Sequence, residues 1–299
     1  MPMPARPAIL IEDVTRPKLA GELLELFIED SFIGPSGCRA TFQNWDATAD
    51  GTPGFTYFDR SVLDIGHLLA VDLPTTLQMT RAFDGVIRSL EAAFPAGSAP
   101  TVTCVAVPLR HRFEATSQRR TFLNLSDADV FERVAHQHGF TVEVDVDGKT
   151  HLKLVQPNLS DRDFLLQRAL AVDAEISIEG KHVAVKARAR RAAADVVLEY
   201  GSELLEFSGV WGASAQGRLT RGLGLSAPAG ASAPLPSAAL PLVAGTGVAA
   251  GLAILLRPGM RVGLAGVGEL LEGTYYVTRV THRYNGVEGL RSAFAAERI

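Results

Sequence analysis

Apolar and polar residues alternate with a period of two over much of the first hundred positions. This is the pattern of strands that bury one face, and it is clear in LELFIE, residues 24–29. The same stretch also fits a helix, because four apolar residues fall on one helical face: Leu19, Leu23, Leu24 and Phe27. Further along, residues 100–107 are rich in β-branched side chains and predict a buried strand.

The clearest internal signal is a repeat at an offset of 34 positions, where NLSDADVFERVA from Asn124 matches NLSDRDFLLQRA from Asn158. Ser126 and Ser160 are good N-caps, and the acids three positions later, Asp129 and Asp163, are placed to complete capping boxes. Alternating valines, leucines and isoleucines after each copy predict that each helix is followed by its own β-hairpin. The pair therefore predicts one small α/β unit rather than a solenoid.

The last third of the chain combines an uncharged segment with regular strand signals. Residues 222–256 contain no charged residue, and residues 222–241 are rich in Ala, Pro, Ser and Gly, which predicts a mobile loop. Prolines and glycines argue against a membrane-spanning helix there and favour a loop followed by a buried strand. Beyond this loop, turns at residues 257–259, 272–273 and 285–286 separate strand candidates, which predicts a second β domain that ends at Ile299.

Composition narrows the function classes without selecting one. A formal net charge of -4 gives no overall basic field that would draw the chain onto nucleic acid or an anionic membrane. The two cysteines, Cys38 and Cys104, are too few for a disulfide framework and are expected to be buried thiols in a reducing cytoplasm. The first residues show no signal-peptide pattern, so export through a signal peptide is not expected.

Histidine and acid groups near the repeats are the first candidates for chemistry. A metal site built from His136, His138 and His151 lacks the ligand spacing of known zinc motifs, and histidines near a helix C-terminus are explained by the helix dipole. Two acid pairs, Asp127 with Asp129 and Asp161 with Asp163, resemble the carboxylate pairs of hydrolases. Their position at helix starts favours capping instead, because first-turn acids answer exposed backbone N–H groups.

Glycine-rich and basic stretches are the remaining candidates. The run from Gly245 to Gly251 does not have the spacing of a dinucleotide-binding loop and has no βαβ context. The basic residues form two clusters without interleaved aromatic side chains, which favours an exposed or intersubunit charged face over nucleic-acid binding. Those clusters are Arg110, His111, Arg112, Arg119 and Arg120, and Lys186, Arg188, Arg190 and Arg191. The sequence therefore predicts no catalytic, cofactor-binding or metal-binding residue.

Four stretches, taken in order, resemble the phage late control protein D family of baseplate hubs, which is related to the N-terminal part of type VI secretion spike proteins. They are PTVTCVAVPLRHRF from Pro100, RRTFLNLSDADVFERVAHQHGF from Arg119, VQPNLSDRDFLLQRA from Val155, and LRPGMRVGLAGVGELLEGTYYVTRVTHRYNGVEGLRSAFAAER from Leu256. The likeness spans most of residues 83–298. Its strongest pieces are the NLSDxDFLLQRA helix and the GTYYVTxVxH strand.

The resemblance implies an α+β, mainly β fold with two tail-tube-like β-barrel domains and an inserted α/β region. Residues 5–117 would form the first barrel, residues 118–192 the helix-hairpin region, and residues 193–299 the second barrel with its loop at 222–241. The spike-fused relatives continue beyond the second barrel, so the resemblance implies that the spike is here a separate chain.

By the same resemblance, the expected function is that of a structural hub, without enzymatic activity or cofactor, in the baseplate of a contractile phage tail or tail-like injection particle. A homotrimer would match a hexameric tail tube protein to a trimeric spike protein and would contact other baseplate proteins. It would be made in the cytoplasm, without membrane insertion or specific nucleic-acid binding. Two alternatives stay open: a particle-associated cell-wall hydrolase that uses Asp127 and Asp161, and a cargo-binding or tube-initiating adaptor.

Overall fold

The computed structural model of the chain describes residues 6–31, 36–47, 52–113, 117–179, 181–187, 194–212, 242–252 and 254–298. The chain divides into two compact units. The first comprises Met1–Ile28, Ser36–Ala193 and Arg283–Gly289, and the second comprises Glu29–Pro35, Ala194–His282 and Leu290–Ile299. The predicted class, α+β and mainly β with a small inserted α/β region, is confirmed. The barrel boundaries at residues 5–117 and 193–299 stay predictions.

The first unit contains a long antiparallel sheet. Its strands are β1 (Ala8–Ile11), β2 (Val14–Thr15), β3 (Leu23–Ser31), β4 (Gly37–Gln43), two short strands β5 (Asp46–Ala47) and β6 (Pro53–Gly54) that pair separately, β7 (Leu68–Pro74), β8 (Met79–Ala93) and β9 (Thr101–Pro108). The order across the sheet is β3-β4-β9-β8-β7-β1-β2. Residues 100–107 fall in β9, whose alternate residues are buried, so the strand prediction there is confirmed.

The ambiguous segment near residue 24 is resolved in favour of a strand. Helix α1 covers only Pro17–Gly21, and β3 follows directly after it with Leu26 and Ile28 buried. Glu22, at the C-cap of α1, donates its backbone N–H to the carbonyl oxygens of the last turn. Leu19 is therefore the helical residue of the predicted face, and the remaining residues of that face belong to β3.

An α/β region follows the first sheet. It contains a short 3-10 turn at Leu109–Phe113, then β10 (Ser117–Leu125), α2 (Asp127–Gln137), β11 (Thr141–Asp145), β12 (His151–Ser160), α3 (Asp161–Ala171), β13 (Ala174–Glu179) and β14 (His182–Ala187). Asn124 and Asn158 precede the two helices with φ angles of 52° and 51°, so both copies of the repeat enter their helices through the same left-handed turn.

The capping box predicted for the first helix is confirmed. The Ser126 hydroxyl accepts from the backbone N–H of Asp129 at 3.2 Å, and the Asp129 carboxylate accepts from the backbone N–H of Ser126 at 2.7 Å. In the second helix Ser160 likewise accepts from the backbone N–H of Asp163 at 3.1 Å. Buried residues of both helices, including Phe131 in α2, then join one hydrophobic core.

The prediction of one hairpin per helix is wrong for the first copy and confirmed for the second. After α3, β13 and β14 pair antiparallel as a hairpin. After α2, however, β11 pairs parallel with β14, and β12 pairs antiparallel with β10. The β11 register sets Val142 beside Val183 and Val144 beside Val185, so apolar side chains of like size align on the core face. The alternation of apolar and polar residues predicts which residues form a strand, but the packing of valines in β11 against those in β14 determines which strand pairs with β11.

Within the described residues, the second unit contains β15 (Val196–Glu199), β16 (Leu204–Gly212), β17 (Leu242–Ala249), β18 (Arg261–Ala265) and most of β19 (Gly273–Asn285) and β20 (Gly289–Arg298), whose adjoining ends fall in the first unit. The antiparallel order is β16-β17-β20-β19, and β18 joins β19 to a parallel partner, β15. Tyr275, Val277 and Phe294 lie in its core. The strand predicted after the uncharged loop is therefore confirmed as β17.

Residues 222–241, the predicted loop, lie outside the described residues. Within the described part of the chain, no helix is long and apolar enough to cross a membrane.

Candidate functional site

Asp127 opens helix α2 and is enclosed by Arg168 of the second copy of the repeat and by His151, which lies between the two copies. Its side chain is almost fully buried, and Arg168 Nε of α3 donates to its Oδ1 at 2.6 Å. The ring Nε2 of His151, at the start of β12, lies 2.8 Å from Oδ2. Burial by itself raises the pKa of Asp127, but the hydrogen bonds from Arg168 and His151 outweigh it and hold the pKa below its ordinary value. The carboxylate therefore stays charged and paired.

Asp161 occupies the matching place at the start of helix α3 and is enclosed mainly by Arg120 and His138, which flank the first copy in sequence. Arg120 of β10 forms a charged hydrogen bond to its Oδ1, and His138 Nε2, at the C-cap of α2, lies 2.7 Å from Oδ2. Gln156 adds a donor at 2.8 Å and is itself fully buried. Each of these two acids is thus held by one arginine and one histidine.

In these contacts His138 and His151 bind carboxylates, and the carboxylates are poorly placed to act in hydrolysis. A general acid or base must reach a substrate, whereas Asp127 and Asp161 are 1% and 4% exposed and already hold their hydrogen-bond partners. Asp129 completes the predicted capping box of α2, whereas at α3 the structure shows the Ser160 cap, with the Asp163 carboxylate accepting from the Ser160 hydroxyl at 2.8 Å. Among the described residues, no group of three or more histidine, cysteine or acid side chains is placed to hold a metal ion.

The reciprocal pairing was not foreseen from the sequence, although a signal for it exists. One acid at the third helical position is enough for a capping box, yet both copies carry a second acid at the first position, Asp127 and Asp161. From the sequence, both first-position acids are predicted to cap their helices, whereas in the structure their partners are arginine and histidine side chains. The spacing of the chain does not reveal that Arg120 and Arg168 are those partners.

The glycine run that was compared with a nucleotide-binding loop lies largely in β17 and supports aromatic packing. A Cβ atom at Gly245 would lie 2.4 Å from Cζ of Phe207, and one at Gly247 would lie 2.7 Å from Cζ of Phe294. Both rings therefore lie across β17, in space that only glycine leaves open. These glycines serve the packing of the sheet.

The structure separates the residues of the two predicted basic clusters. Arg120 points inward to Asp161, whereas the neighbouring Arg119 is exposed. Lys186 pairs with Glu143 at 3.2 Å. Arg188, Arg190 and Arg191 lie outside the described residues.

Both units contain four strands that follow the same order across the sheet. In the first unit the order β3-β4-β9-β8 combines the pairs β3–β4 and β8–β9, and in the second the order β19-β20-β17-β16 combines β19–β20 and β16–β17. In both orders the later strand of the second pair, β9 or β17, lies inside the four, and the earlier strand, β8 or β16, lies at their end. The first pair comes earlier in the chain in one unit and later in the other, so the two units are circular permutations of one pattern.

A short motif marks the equivalent strand in each unit. Strand β8 contains Phe83-Asp84-Gly85-Val86, and β16 contains Phe207-Ser208-Gly209-Val210. In each case the ring lies against the glycine two positions later: a Cβ at Gly85 would lie 2.4 Å from Cζ of Phe83, and one at Gly209 would lie 3.0 Å from Cε1 of Phe207. The same aromatic and glycine contact recurs at the same place in the four-stranded order.

These two equivalent strands also have open edges. Strand β16 pairs with β17 and has, among the described residues, only a single bridge on its other side, Tyr200 with Leu204. Strand β8 pairs with β7 as far as Val86, and Ile87 still exchanges backbone hydrogen bonds with Gly66 and His67 on that side. In the described part of the chain, the remainder of β8 up to Ala93 pairs only with β9. Unpaired edges of this kind are sites where another strand is able to add.

An exposed aromatic cluster lies on the first unit. Phe55 contacts three other rings, with centroid distances of 5.3 Å to Trp45, 5.1 Å to Phe58 and 5.8 Å to Phe94. All four side chains are more than a third exposed. An apolar surface cluster of this kind is typical of protein interfaces.

Comparisons with known proteins place this fold. The 43 kDa tail protein of prophage MuSo2 from Shewanella oneidensis has a TM-score of 0.68 at 12% identity, with 98% of each chain covered. The tail protein from Neisseria meningitidis MC58 gives 0.66 at 11% identity, covering 98% of this chain and 97% of that one. The E. coli c3393 protein, a component of the type VI secretion system, gives 0.59 at 11% identity, covering 92% and 73%.

The chain therefore has the fold of these tail and secretion-system proteins. No curated protein sequence matches it. A family model described as the Alg8 N-terminal domain matches residues 53–224, which is more than half of the chain. By this match, the chain belongs to the Alg8 N-terminal domain family.

Proposed function

We propose that this chain is a structural baseplate hub, of the late control protein D type, in a contractile phage tail or tail-like injection particle. The observation that carries the proposal is the repetition of one four-stranded order in both units. A homotrimer of such a chain presents six similar sheets, which matches a hexameric tube on one side and a trimeric spike on the other. The fold it shares with phage tail proteins supports the same role.

The open edges suggest how three copies would join. In this proposal β16 of one copy adds to the free part of β8 in the next copy, so that equivalent strands of the two kinds of unit meet. Both edges are then covered, which removes a site of aggregation. The tube protein and a separate spike protein would bind opposite ends of the ring, and other baseplate proteins its periphery.

The proposed role is not enzymatic. The hydrogen-bonded, buried carboxylates of Asp127 and Asp161 support this role. A hydrolase that used Asp127 and Asp161 would have to break two charged hydrogen-bond networks before it bound a substrate. The Asp127→Asn variant is expected to lose stability, with no peptidoglycan turnover in either protein. Turnover by the wild-type chain that Asp127→Asn abolishes without unfolding would favour the hydrolase.

Size-exclusion chromatography with light scattering tests the assembly directly. The chain is expected to form a species of three times its 31.9 kDa mass, alone or together with its tube and spike proteins. Val210 is 67% exposed on the open strand β16, so Val210→Lys should block edge pairing and shift the mass towards the monomer. The matched control is Val287→Lys, at a 94% exposed position in a turn.

Two results would contradict the proposal. The first is a chain that stays monomeric in the presence of tube and spike proteins. The second is a trimer that Val210→Lys and Val287→Lys affect equally. Binding to the tube protein without any affinity for a spike would instead favour the tube-initiating adaptor.

A further inference from the structure

Strands β10 and β12 form a two-stranded ribbon whose two faces differ. Phe122 and Gln156 are buried on its inner face, beside the core of the α/β region. The odd-numbered residues in the central part of both strands point to the outer face. These six residues are exposed: Arg119, Thr121, Leu123, Lys153, Val155 and Pro157. The ribbon is built from strands other than β8 and β16, whose open edges are used in the proposed assembly.

Apolar side chains on the ribbon are unusually exposed for a strand pair. Leu123 is 61% exposed and Val155 is 41% exposed on the outer face, and Leu152 near the start of β12 is 84% exposed. Three large aliphatic residues on so short an element leave apolar area in water that a partner would cover.

The charges on the ribbon are all of one sign. Neither strand contains an aspartate or a glutamate. Arg119 and Lys153 have no ion-pair partner among the described residues, whereas Arg120 on the inner face is bound to Asp161. An uncompensated positive face is notable in a chain with a formal net charge of -4.

Both long edges of the ribbon are open as well. In the part of the chain that the structure describes, β10 and β12 pair only with each other. A two-stranded ribbon is marginally stable by itself, so a segment that packs on its outer face would stabilise it. The register sets Leu123 beside Lys153 and Arg119 beside Pro157, so apolar and cationic groups alternate across the face.

We propose that the outer face of this ribbon binds a partner protein through an extended segment in which carboxylates alternate with apolar side chains. The carboxylates would pair with Arg119 and Lys153, and the apolar side chains would cover Leu123 and Val155. Nucleic acid fits less well, because the face has two cations and no aromatic side chain on which bases stack. The proposal does not depend on the chain being a hub.

Fluorescence anisotropy with synthetic probes tests this proposal on the full chain. The probes are three: a labelled ten-residue peptide that alternates glutamate with valine and leucine, the same peptide with lysine in place of glutamate, and an oligo-dT strand. We expect the glutamate peptide to bind, and the Arg119→Glu/Lys153→Glu variant to weaken it at least about tenfold, since like charges then face each other. The matched control, Arg133→Glu/Lys181→Glu, reverses two exposed cations away from the ribbon and should leave binding unchanged.

Three outcomes would overturn the proposal. They are equal binding of both peptides, binding of the glutamate peptide that survives the Arg119→Glu/Lys153→Glu change, and preferential binding of oligo-dT. Circular dichroism confirms that each variant is folded. The oligomeric mass of the Arg119→Glu/Lys153→Glu variant should stay that of the wild type, so failure of this proposal and failure of hub assembly are told apart.

Discussion

His282 in strand β19 should make the second unit sensitive to mild acid. The imidazole is 2% exposed, with Nδ1 2.8 Å from the Ser292 hydroxyl and Nε2 3.2 Å from the backbone oxygen of Leu256. Burial lowers the pKa of His282 from 6.5 to about 4, because a charged ring would lose its hydration there. The folded chain therefore keeps His282 neutral at a pH where the unfolded chain is protonated.

The sign and size of the effect follow from this difference. As the pH falls below 6.5, His282 binds a proton in the unfolded state, whereas in the folded state it stays neutral until the pH reaches about 4. Stability is therefore complete above pH 6.5 and decreases across this window. The shift corresponds to about 3 kcal/mol in total, of which about 2 kcal/mol is lost between pH 7 and pH 5. Most carboxylates titrate below this range, and a variant without an ionisable group at position 282 isolates the part of the loss that belongs to His282.

Denaturant-dependent hydrogen exchange of β19 and β20 measures this loss locally. The His282→Gln variant keeps one donor and one acceptor but does not titrate, so it should be less stable at pH 7 and lose much less stability on going to pH 5. Exposed His136 provides the matched control, and His136→Gln should retain the full dependence. Equal losses in the wild type and in His282→Gln would refute the reasoning.

Two further predictions concern packing and buried charge. Gly245→Ala should destabilise the second unit by about 1–3 kcal/mol in urea unfolding, because its new Cβ meets the Phe207 ring. Gly286→Ala should be nearly neutral, because a Cβ atom at Gly286 would have no neighbouring atom within 4 Å. Equal effects of the two substitutions on stability would contradict the account. Asp127→Ala should cost about 2 kcal/mol or more, since it leaves Arg168 without its carboxylate. The exposed Glu132→Gln on the same helix is its control, and a loss of less than about 0.5 kcal/mol for Asp127→Ala would show that the pair is not structurally important.

Local structure in the repeat region could be predicted because it depends on short-range chemistry. Ser126 and Asp129 are three residues apart, and their capping box is a property of that spacing alone. The partner of β11 could not be predicted in the same way. Its valines pair in parallel register with those of β14, Val142 with Val183 and Val144 with Val185, and β14 lies far along the chain.

The resemblance of the two units was expected from the family likeness, but not from the residues themselves. The motifs at Phe83 and Phe207 share only a phenylalanine, a glycine and a valine, and the permuted strand order hides any simple repeat. Burial of His282 was hidden for a related reason. Along β19 the buried positions run Tyr275, Val277 and then Val280, so the alternation shifts by one residue within the strand.

Cryo-electron microscopy of the chain bound to its tail tube protein tests the central claim most directly. The account predicts a ring of three copies in which six four-stranded sheets surround one axis, with β16 of each copy beside β8 of the next. A ring with another number of copies, or a complex in which only one of the two units contacts the tube, would contradict it.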